Sequence, residues 1–358
     1  MNIMPFILNF LKSLFPFADV EEFYLKDMAI LIQGILEGYS QSISAIAEHS
    51  LIKIHRTTLS RFLNEHDEFW KEMKKRFQVL LFDKGEKTLV VDDTHLERKS
   101  KDIPYSKYIY DHSKGRYHTA QVLMAIGTFV EGKFTLIDML FEKGDKSKND
   151  LLVEWLRQNG KKGYTLIADS WYTHGQIVES CVQWFGMDMI GAVKSNLKFE
   201  GEKIGKKERR IKFDKVVRIK GRLLKIHEEI GHFQSIRIPM KVVFNEDESG
   251  RRMIVASTNL EMDSKEILER YLSRWSIERY FQISKASFGL GKCKIRDEKA
   301  QENWMVVLSI AYYLFEMVRA LLKIKEIKDV KMVLANAISY MGFLCKGISN
   351  YDYTKLSK

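Results

Sequence analysis

Cysteine is scarce, and neither cysteine nor histidine occurs at spacings typical of a metal site. The chain has three cysteines, Cys181, Cys293 and Cys345, and no CxxC pair. Its nine histidines show no HExxH or mixed Cys/His pattern, and such patterns mark many zinc sites. The scarcity argues against disulfides and zinc and predicts reduced thiols in a cytosolic protein.

Long hydrophobic runs are also missing. The apolar segment at residues 1–20 is interrupted by Asn9, Lys12 and Pro16, and it lacks the basic start of a signal peptide. The longest mainly apolar run, residues 304–315, is too short to span a bilayer and predicts a buried helix. We therefore expect a cytoplasmic protein that does not enter a membrane. The chain also shows no internal repeat or low-complexity segment.

Acidic residues are outnumbered by basic ones. The chain carries 58 Lys and Arg against 47 Asp and Glu, a formal net charge of +11, with a pI near 9.2. The surplus is uneven, because residues 191–230 hold thirteen Lys or Arg against six Asp or Glu. Such a balance favours a polyanionic partner, although many basic proteins bind no nucleic acid. The 45% hydrophobic content is that of a folded protein, which excludes wholesale disorder.

The most informative stretch is residues 271–285, which is compatible with one helix. At about 100° per residue, four polar side chains fall within an arc of about 60° on one face: Tyr271, Arg274, Glu278 and Lys285. An apolar stripe is expected to anchor the same helix to the core: Leu268, Leu272, Trp275 and Ile283. A carboxylate flanked by cations suits metal-assisted chemistry on phosphate. The alternative is a solvated face with an Arg274–Glu278 pair.

Two further acidic positions follow short apolar, β-branched runs. Residues 88–93 read TLVVDD and are followed by Thr94, and residues 164–169 read YTLIAD and are followed by SWY. Runs of this type predict buried sheet strands. A single aspartate at a strand end is usually a turn residue or a helix N-cap. Two of them, together with Glu278 on its helix, predict an active site at the carboxyl ends of the strands.

These motifs resemble those of transposases of the insertion-sequence-4 family, in the RNase H-like DDE superfamily. The spacing Tyr271-x2-Arg274-x3-Glu278-x6-Lys285 matches that family's signature helix at all four positions, and the resemblance covers residues 40–320. It implies a catalytic, metal-binding triad in the order D, D, E: Asp93, Asp169 and Glu278. It also implies that a prokaryotic enzyme cuts and joins DNA at terminal inverted repeats, inserts into target DNA, and acts as a homodimer.

The first acid is ambiguous by one residue, because Asp92 and Asp93 are adjacent. Successive strand side chains point to opposite faces, so only one of the two can face bound metal ions. The resemblance favours Asp93, since the family's catalytic acid lies directly before a threonine. On the signature helix, Tyr271, Arg274 and Lys285 are expected to hold DNA phosphates near the scissile bond.

The implied triad is consistent with metal chemistry. Three converging carboxylates repel one another and raise one another's pKa. Divalent cations relieve that repulsion, and all-oxygen ligands suit Mg²⁺ or Mn²⁺ rather than Zn²⁺. Two such ions can activate a nucleophile and stabilise the leaving oxygen of a phosphodiester displacement. We therefore expect two Mg²⁺ ions, for which Mn²⁺ can substitute.

The expected fold class is α/β, with an RNase H-like mixed-sheet core, a β-rich insertion, an N-terminal helical DNA-binding region and C-terminal helices. The predicted boundaries are 1–80 for the helical region, 85–195 and 259–345 for the two parts of the core, 196–258 for the insertion and 346–358 for a tail. In the first part of the core the pattern predicts strands near 88–93, 118–129, 133–140, 164–169 and 187–193, and helices near 149–159 and 174–184.

Two segments are expected to contact DNA. Residues 42–63 have helix-turn-helix proportions, and four polar side chains of the second helix are candidates for phosphate or base contacts: Arg56, Thr57, Thr58 and Arg61. In the insertion, a basic cluster is expected to contact phosphates: Lys206, Lys207, Arg209 and Arg210. For residues 42–63 the alternative is an ordinary helical hairpin. For the insertion the alternative is a solvated sheet whose lysines only confer solubility.

Two other functions compete with transposition. Another RNase H-like nuclease would use the same metals, but it would not explain the four-position helix or the large basic insertion. A catalytically idle DNA-binding protein descended from a transposase would need no acids, yet all three are present.

Overall fold

The computed structural model describes residues 3–16, 20–39, 42–111, 114–144 and 146–324. Within these ranges the helices are, in chain order, α1 (Met4–Ser13), α2 (Glu22–Glu37), α3 (Ile43–His49), α4 (Arg56–Asn64), α5 (Asp67–Lys84), α6 (Lys148–Asn159), α7 (Gly175–Glu179), α8 (Ile204–Glu208), α9 (Ser264–Ser273), α10 (Trp275–Ser287) and α11 (Glu298–Leu321). A π-helical turn, Ser180–Trp184, continues α7.

The strands form one large mixed sheet and one short hairpin within the described residues. They are β1 (Thr88–Glu97), β2 (Lys107–Asp111), β3 (Arg116–Val130), β4 (Lys133–Phe141), β5 (Thr165–Ala168), β6 (Asp188–Ala192), β7 (Lys198–Phe199), β8 (Glu202–Lys203), β9 (Lys215–Ile219), β10 (Arg222–Gly231), β11 (Met240–Asp247) and β12 (Arg252–Ser257). The order across the large sheet is β2-β3-β1-β5-β6-β12-β11-β10-β9, and β4 pairs with the remaining length of β3.

Five strands form the arrangement expected of an RNase H-like core. β3 pairs antiparallel with β1 and β4, β5 lies parallel to β1, and β6 lies parallel to β5. The predicted strands and helices of this part are all present, although β1 extends to Glu97. Glu131 and Gly132 form the turn between β3 and β4. Their φ values of 50° and 71° match the two-residue type I′ turn that suits twisted antiparallel strands.

The insertion is rich in β-strands, as predicted, but its long strands do not form a sheet of their own. β12 pairs antiparallel with β6, with Val255 opposite Ala192, and β11, β10 and β9 follow outward in the same sheet. Pairing of this kind satisfies the backbone hydrogen-bonding groups along the β6 edge. The basic insertion is therefore joined to the core through a continuous ladder of backbone hydrogen bonds.

Helices α1 to α5 form the helical N-terminal region that the sequence predicts. α4 begins after His55, whose Nδ1 accepts a hydrogen bond from the backbone N–H of Thr57 at 3.3 Å. The apolar face of α4, with Leu59, Phe62 and Leu63, is buried. Its polar face is consequently the one left toward solvent.

α11 is the buried helix predicted from the apolar run in the C-terminal part. It packs against α2, α4 and β4. By length and composition alone it could cross a membrane, but 72% of its apolar window is buried inside the protein, as expected of a core helix. The second predicted C-terminal helix and the tail at 346–358 lie outside the described residues.

Candidate active site

Successive residues of β1 carry their side chains to opposite faces of the sheet. Toward the α9–α10 segment, Arg274 Nη1 donates a hydrogen bond to Asp92 Oδ2 at 2.5 Å. Two residues further along β1, Thr94 Oγ1 accepts one from Lys285 Nζ at 2.6 Å. Because side chains alternate along a strand, Asp93 points to the other face.

On that other face, Asp93 is held by two side chains of the protein. Its Oδ1 accepts hydrogen bonds from Lys148 Nζ at 2.7 Å and from the Tyr172 hydroxyl at 3.0 Å. Lys148 lies in the first turn of α6, and Tyr172 is fully buried beyond the end of β5. Burial and the charge of Asp93 hold the pKa of Tyr172 well above its ordinary value. The phenol therefore stays protonated and donates to the carboxylate.

Strand register brings Asp169 next to Asp92. β1 and β5 pair in parallel as far as Val91 and Ala168, and the next residue of each segment is an aspartate. Residues paired across adjacent strands point to the same face. Asp169 Oδ1 accepts a hydrogen bond from the backbone N–H of Trp171 at 2.8 Å, which fixes the carboxylate in the turn after β5.

The signature stretch consists of two helices that meet at Arg274, not of the single helix that the sequence suggests. The backbone N–H of Arg274 donates to the carbonyl of Tyr271 at 3.0 Å, a tighter turn than that of an α-helix. Across the junction, Arg274 Nη2 donates to Glu278 Oε1 at 2.6 Å. The apolar stripe predicted for this stretch is confirmed only in part, since Leu268 and Ile283 are buried. Trp275 is 59% exposed, so the prediction that it anchors the helix to the core is wrong.

Asp92 is the acid that links the other two, because it lies beside Asp169 and shares the Arg274 guanidinium with Glu278. Burial raises the pKa of Asp92 to about 7, against the opposing effect of Arg274, and the charge of Asp169 raises it further. Arg274, itself only 8% exposed, bonds two of the three acids. Carboxylate oxygens that repel one another and already recruit a cation are suitable ligands for Mg²⁺.

Of the two adjacent acids that the sequence leaves open, Asp92 lies on the face of β1 that carries Arg274, whereas the sequence-based preference is Asp93. Asp92 lies beside Asp169 and shares Arg274 with Glu278. Asp93 is turned to the opposite face of β1. Proximity to a threonine identifies the motif, but only the register of β1 against β5 shows which of two adjacent acids shares a face with the other two.

The three side chains expected to hold phosphates differ in accessibility. Tyr271 is 4% exposed, and burial raises its pKa. Arg274 is committed to two acids. Lys285 is half-buried, and its Nζ also donates to the backbone carbonyl of His95 at 3.0 Å. Lys285 is therefore the best placed of the three to reach a DNA phosphate.

Two side chains near the acids, Lys148 and Trp171, are not predicted from the sequence pattern. The Trp171 side chain is 48% exposed, two residues beyond Asp169. The Nζ atoms of Lys148 and Lys194 lie 4.6 and 4.4 Å from the centre of its ring, within the range of cation–π attraction. The SWY run after Asp169 was a usable signal for Trp171. Lys148 had none, since only the fold brings α6 to β1.

The candidate DNA-contacting residues on α4 are all exposed: Arg56, Thr57, Thr58 and Arg61. The basic cluster of the insertion lies on and just after α8, and its members differ. Lys206 and Arg209 are exposed. Lys207 Nζ lies 2.5 Å from Glu229 Oε2, and Arg210 forms an ion pair with Glu202.

The mixed sheet, in which β1, β5 and β6 are parallel and β3 runs antiparallel to β1 and β4, is that of an RNase H-like DDE protein. The family model described as "Transposase DDE domain" matches residues 83–314, well over half of the chain, and the chain belongs to this transposase family. No curated protein matches.

One similar solved structure is the cryo-EM structure of the piggyBac transposase synaptic complex with hairpin DNA. The two chains are 15% identical, the match covers 97% of this chain and 82% of that one, and the TM-score is 0.51. At this identity the likeness shows that the two proteins share a fold.

Proposed function

We propose that the protein is a DNA transposase that cuts and joins DNA at the ends of an insertion sequence, by phosphodiester hydrolysis and transesterification. The observation that carries the proposal is that Asp92 lies beside Asp169 and shares Arg274 with Glu278. Membership of the transposase family supports DNA transposition as the process. Such a protein acts on DNA in the cytoplasm of a prokaryotic cell.

Asp92, Asp169 and Glu278 would hold two Mg²⁺ ions, for which Mn²⁺ can substitute. When bound, such ions activate the attacking oxygen and stabilise the leaving oxygen of an in-line displacement. The protein supplies the positioning. Arg274 holds Asp92 and Glu278 in one place, and Lys148, through Asp93, fixes the middle of β1.

DNA is proposed to contact three parts of the chain. α4 presents an exposed polar face with Arg56 and Arg61, and α8 presents Lys206. Lys285 bonds Thr94, which follows the Asp92–Asp93 pair on β1. The piggyBac structure is a synaptic complex with hairpin DNA. By analogy we propose that two copies of this chain pair two DNA ends before cutting.

The test is a cleavage and strand-joining assay on DNA that carries the inverted repeats flanking the gene. The wild-type chain is expected to nick and join this DNA with Mg²⁺ and not with EDTA. Asp169→Ala and Glu278→Gln should lose cleavage but keep DNA binding in a gel-shift assay. Asp102→Asn, a change at an exposed loop acid, is the matched control and should cleave as wild type does.

Each of the other results of this assay would assign a different function or remove one part of the proposal. Cleavage without strand joining would assign the chain to the RNase H-like nucleases. Specific binding without cleavage by the wild type would mark an idle, transposase-derived DNA-binding protein. Wild-type cleavage by Asp169→Ala would remove the acid cluster from the mechanism, and cleavage strictly first order in protein, without a paired-end complex, would remove the dimer.

A further inference from the structure

Three potential metal ligands come together on the face of the sheet opposite to Asp92. His95 lies on β1, Asp111 ends β2 and His118 lies on β3. The ligand atoms of these three side chains all lie within 4.8 Å of one another. Asp111 Oδ2 is 3.9 Å from His95 Nδ1 and 4.0 Å from His118 Nδ1. Three adjacent strands thus each contribute one ligand to a single point.

Two members of the group, Asp111 and His118, are nearly buried, and within the described part of the chain His118 lacks the hydrogen bonds that a buried imidazole requires. The His118 side chain is 10% exposed and that of Asp111 is 9% exposed. Among the residues that the structure describes, neither ring nitrogen of His118 makes a hydrogen bond. Burying a polar atom without a hydrogen bond costs free energy, commonly about 1–3 kcal/mol. A cation on Nδ1 would remove that cost at one of the two nitrogens.

A fourth ligand stands at the rim of the group. Glu97 Oε1 lies 3.2 Å from His118 Nδ1, and the Glu97 side chain is 49% exposed. Lys114 Nζ is 3.6 Å from Asp111 Oδ2 and also pairs with Glu97. Lys114 is on a half-exposed, flexible stem, so it can leave when a more highly charged cation arrives. Its presence shows that the point already attracts positive charge.

We propose that His95, Asp111 and His118 bind one Zn²⁺ ion, with Glu97 as the fourth ligand. Imidazole nitrogens with carboxylate oxygens are a ligand set that zinc accepts in tetrahedral geometry. Zinc bonds of about 2.0–2.1 Å place tetrahedral ligands about 3.3 Å apart. To shorten the separations of 3.9 and 4.0 Å to that value, each ligand atom would move by a few tenths of an ångström.

The ion would fasten the edge strand β2 to β1 and β3, next to the half of β1 that carries Asp92. It is distinct from the proposed catalytic ions in both position and chemistry. The catalytic acids offer only oxygen ligands, which suit Mg²⁺. This site offers two nitrogens, which favour zinc over magnesium.

The test is metal binding by the full chain without DNA, after treatment with EDTA and its removal, with Mg²⁺ in large excess to fill all-oxygen sites. Zn²⁺ is titrated against a chromophoric chelator, and Co²⁺ is titrated while visible absorption is recorded. We expect one tightly bound Zn²⁺ per chain and the intense visible bands of four-coordinate Co²⁺. Asp92→Asn should leave both signals unchanged, which separates this site from the catalytic one.

His118→Ala and Asp111→Asn should each weaken Zn²⁺ binding by about 10–100-fold or more. Removing a residue that only hydrogen-bonds to a metal ligand already causes a loss of that size. His232→Ala is the matched control, because His232 is an exposed histidine beside Glu200. If circular dichroism shows that His118→Ala is unfolded, His95→Gln replaces it as a test variant, because His95 is only half-buried. Failure of the wild type to bind one Zn²⁺, or wild-type binding by folded Asp111→Asn and His95→Gln, would overturn the proposal.

Discussion

Replacing Asp92 by asparagine is expected to abolish DNA cleavage and at the same time to stabilise the metal-free protein. Burial raises the pKa of the Asp92 carboxyl from 3.8 to about 7. At 1.36 kcal/mol for each pH unit between the two values, ionised Asp92 destabilises the metal-free fold by about 4 kcal/mol. Asparagine has a similar shape, carries no charge and avoids that cost.

The sign of the pH dependence follows from proton binding. The folded protein holds the Asp92 proton more tightly than the unfolded chain does, so the free energy of unfolding falls as pH rises between the two pKa values. Below pH 3.8 the carboxyl is protonated in both states and costs nothing, and above about 7 the cost is fully present. The advantage of Asp92→Asn should therefore be larger at about pH 8 than at about pH 5, by about 2–3 kcal/mol.

The measurement is urea unfolding in EDTA at both pH values, together with the cleavage assay in Mg²⁺. Asp93→Asn is the control with the opposite expectation, since it weakens the contacts of Asp93 with Lys148 and Tyr172. It should lose about 1–3 kcal/mol of stability and retain substantial cleavage. If Asp92→Asn is the less stable variant at both pH values and still cleaves while Asp93→Asn does not, the first acid is Asp93.

Three further predictions concern the cations around the acids and in the insertion. Arg274→Ala leaves two acids without their shared partner and should destabilise the metal-free protein by about 3–5 kcal/mol at about pH 8. The measurement is urea unfolding, and an unchanged urea midpoint would show that the two ion pairs of Arg274 do not stabilise the fold. Lys285→Ala should lower the slope of log affinity against log salt by about one in DNA binding, and an unchanged slope would exclude a phosphate contact. The double change of Lys206 and Arg209 to alanine should lower that slope by about two for every DNA sequence, more than the same change at the ion-paired Lys207 and Arg210; wild-type affinity would leave the insertion as a solvated surface.

The parts of the site that the sequence reveals are those that depend on local pattern. The apolar runs before Asp92 and Asp169 predict buried strands, because β-branched residues flanked by turns have few other stable conformations. Glu278 is recognised by its spacing from Arg274. The choice between Asp92 and Asp93 is different in kind, because it depends on how β1 is registered against β5, about 75 residues further along the chain.

Contacts between distant segments account for the other features of the structure that the sequence does not predict. Lys148 reaches Asp93 only after α6 has packed beside β1. The break at Arg274 occurs without a glycine or proline in either helix, so the sequence pattern gives no sign of it. The pairing of β12 with β6 joins the insertion to the core, whereas the alternating basic and apolar pattern predicts strands without identifying their neighbours.

The continuous sheet holds the outer edge of the insertion at a fixed distance from the acids. Five strand spacings separate β5, which ends beside the acids, from β9 at the outer edge of the insertion. At about 4.8 Å for each spacing, that edge lies about 24 Å from the acids, or about seven base-pair steps of 3.4 Å. A hinged module would allow this interval to vary from one event to the next. A hydrogen-bonded sheet holds it constant, so a phosphate gripped at the edge would determine which bond is presented to the acids.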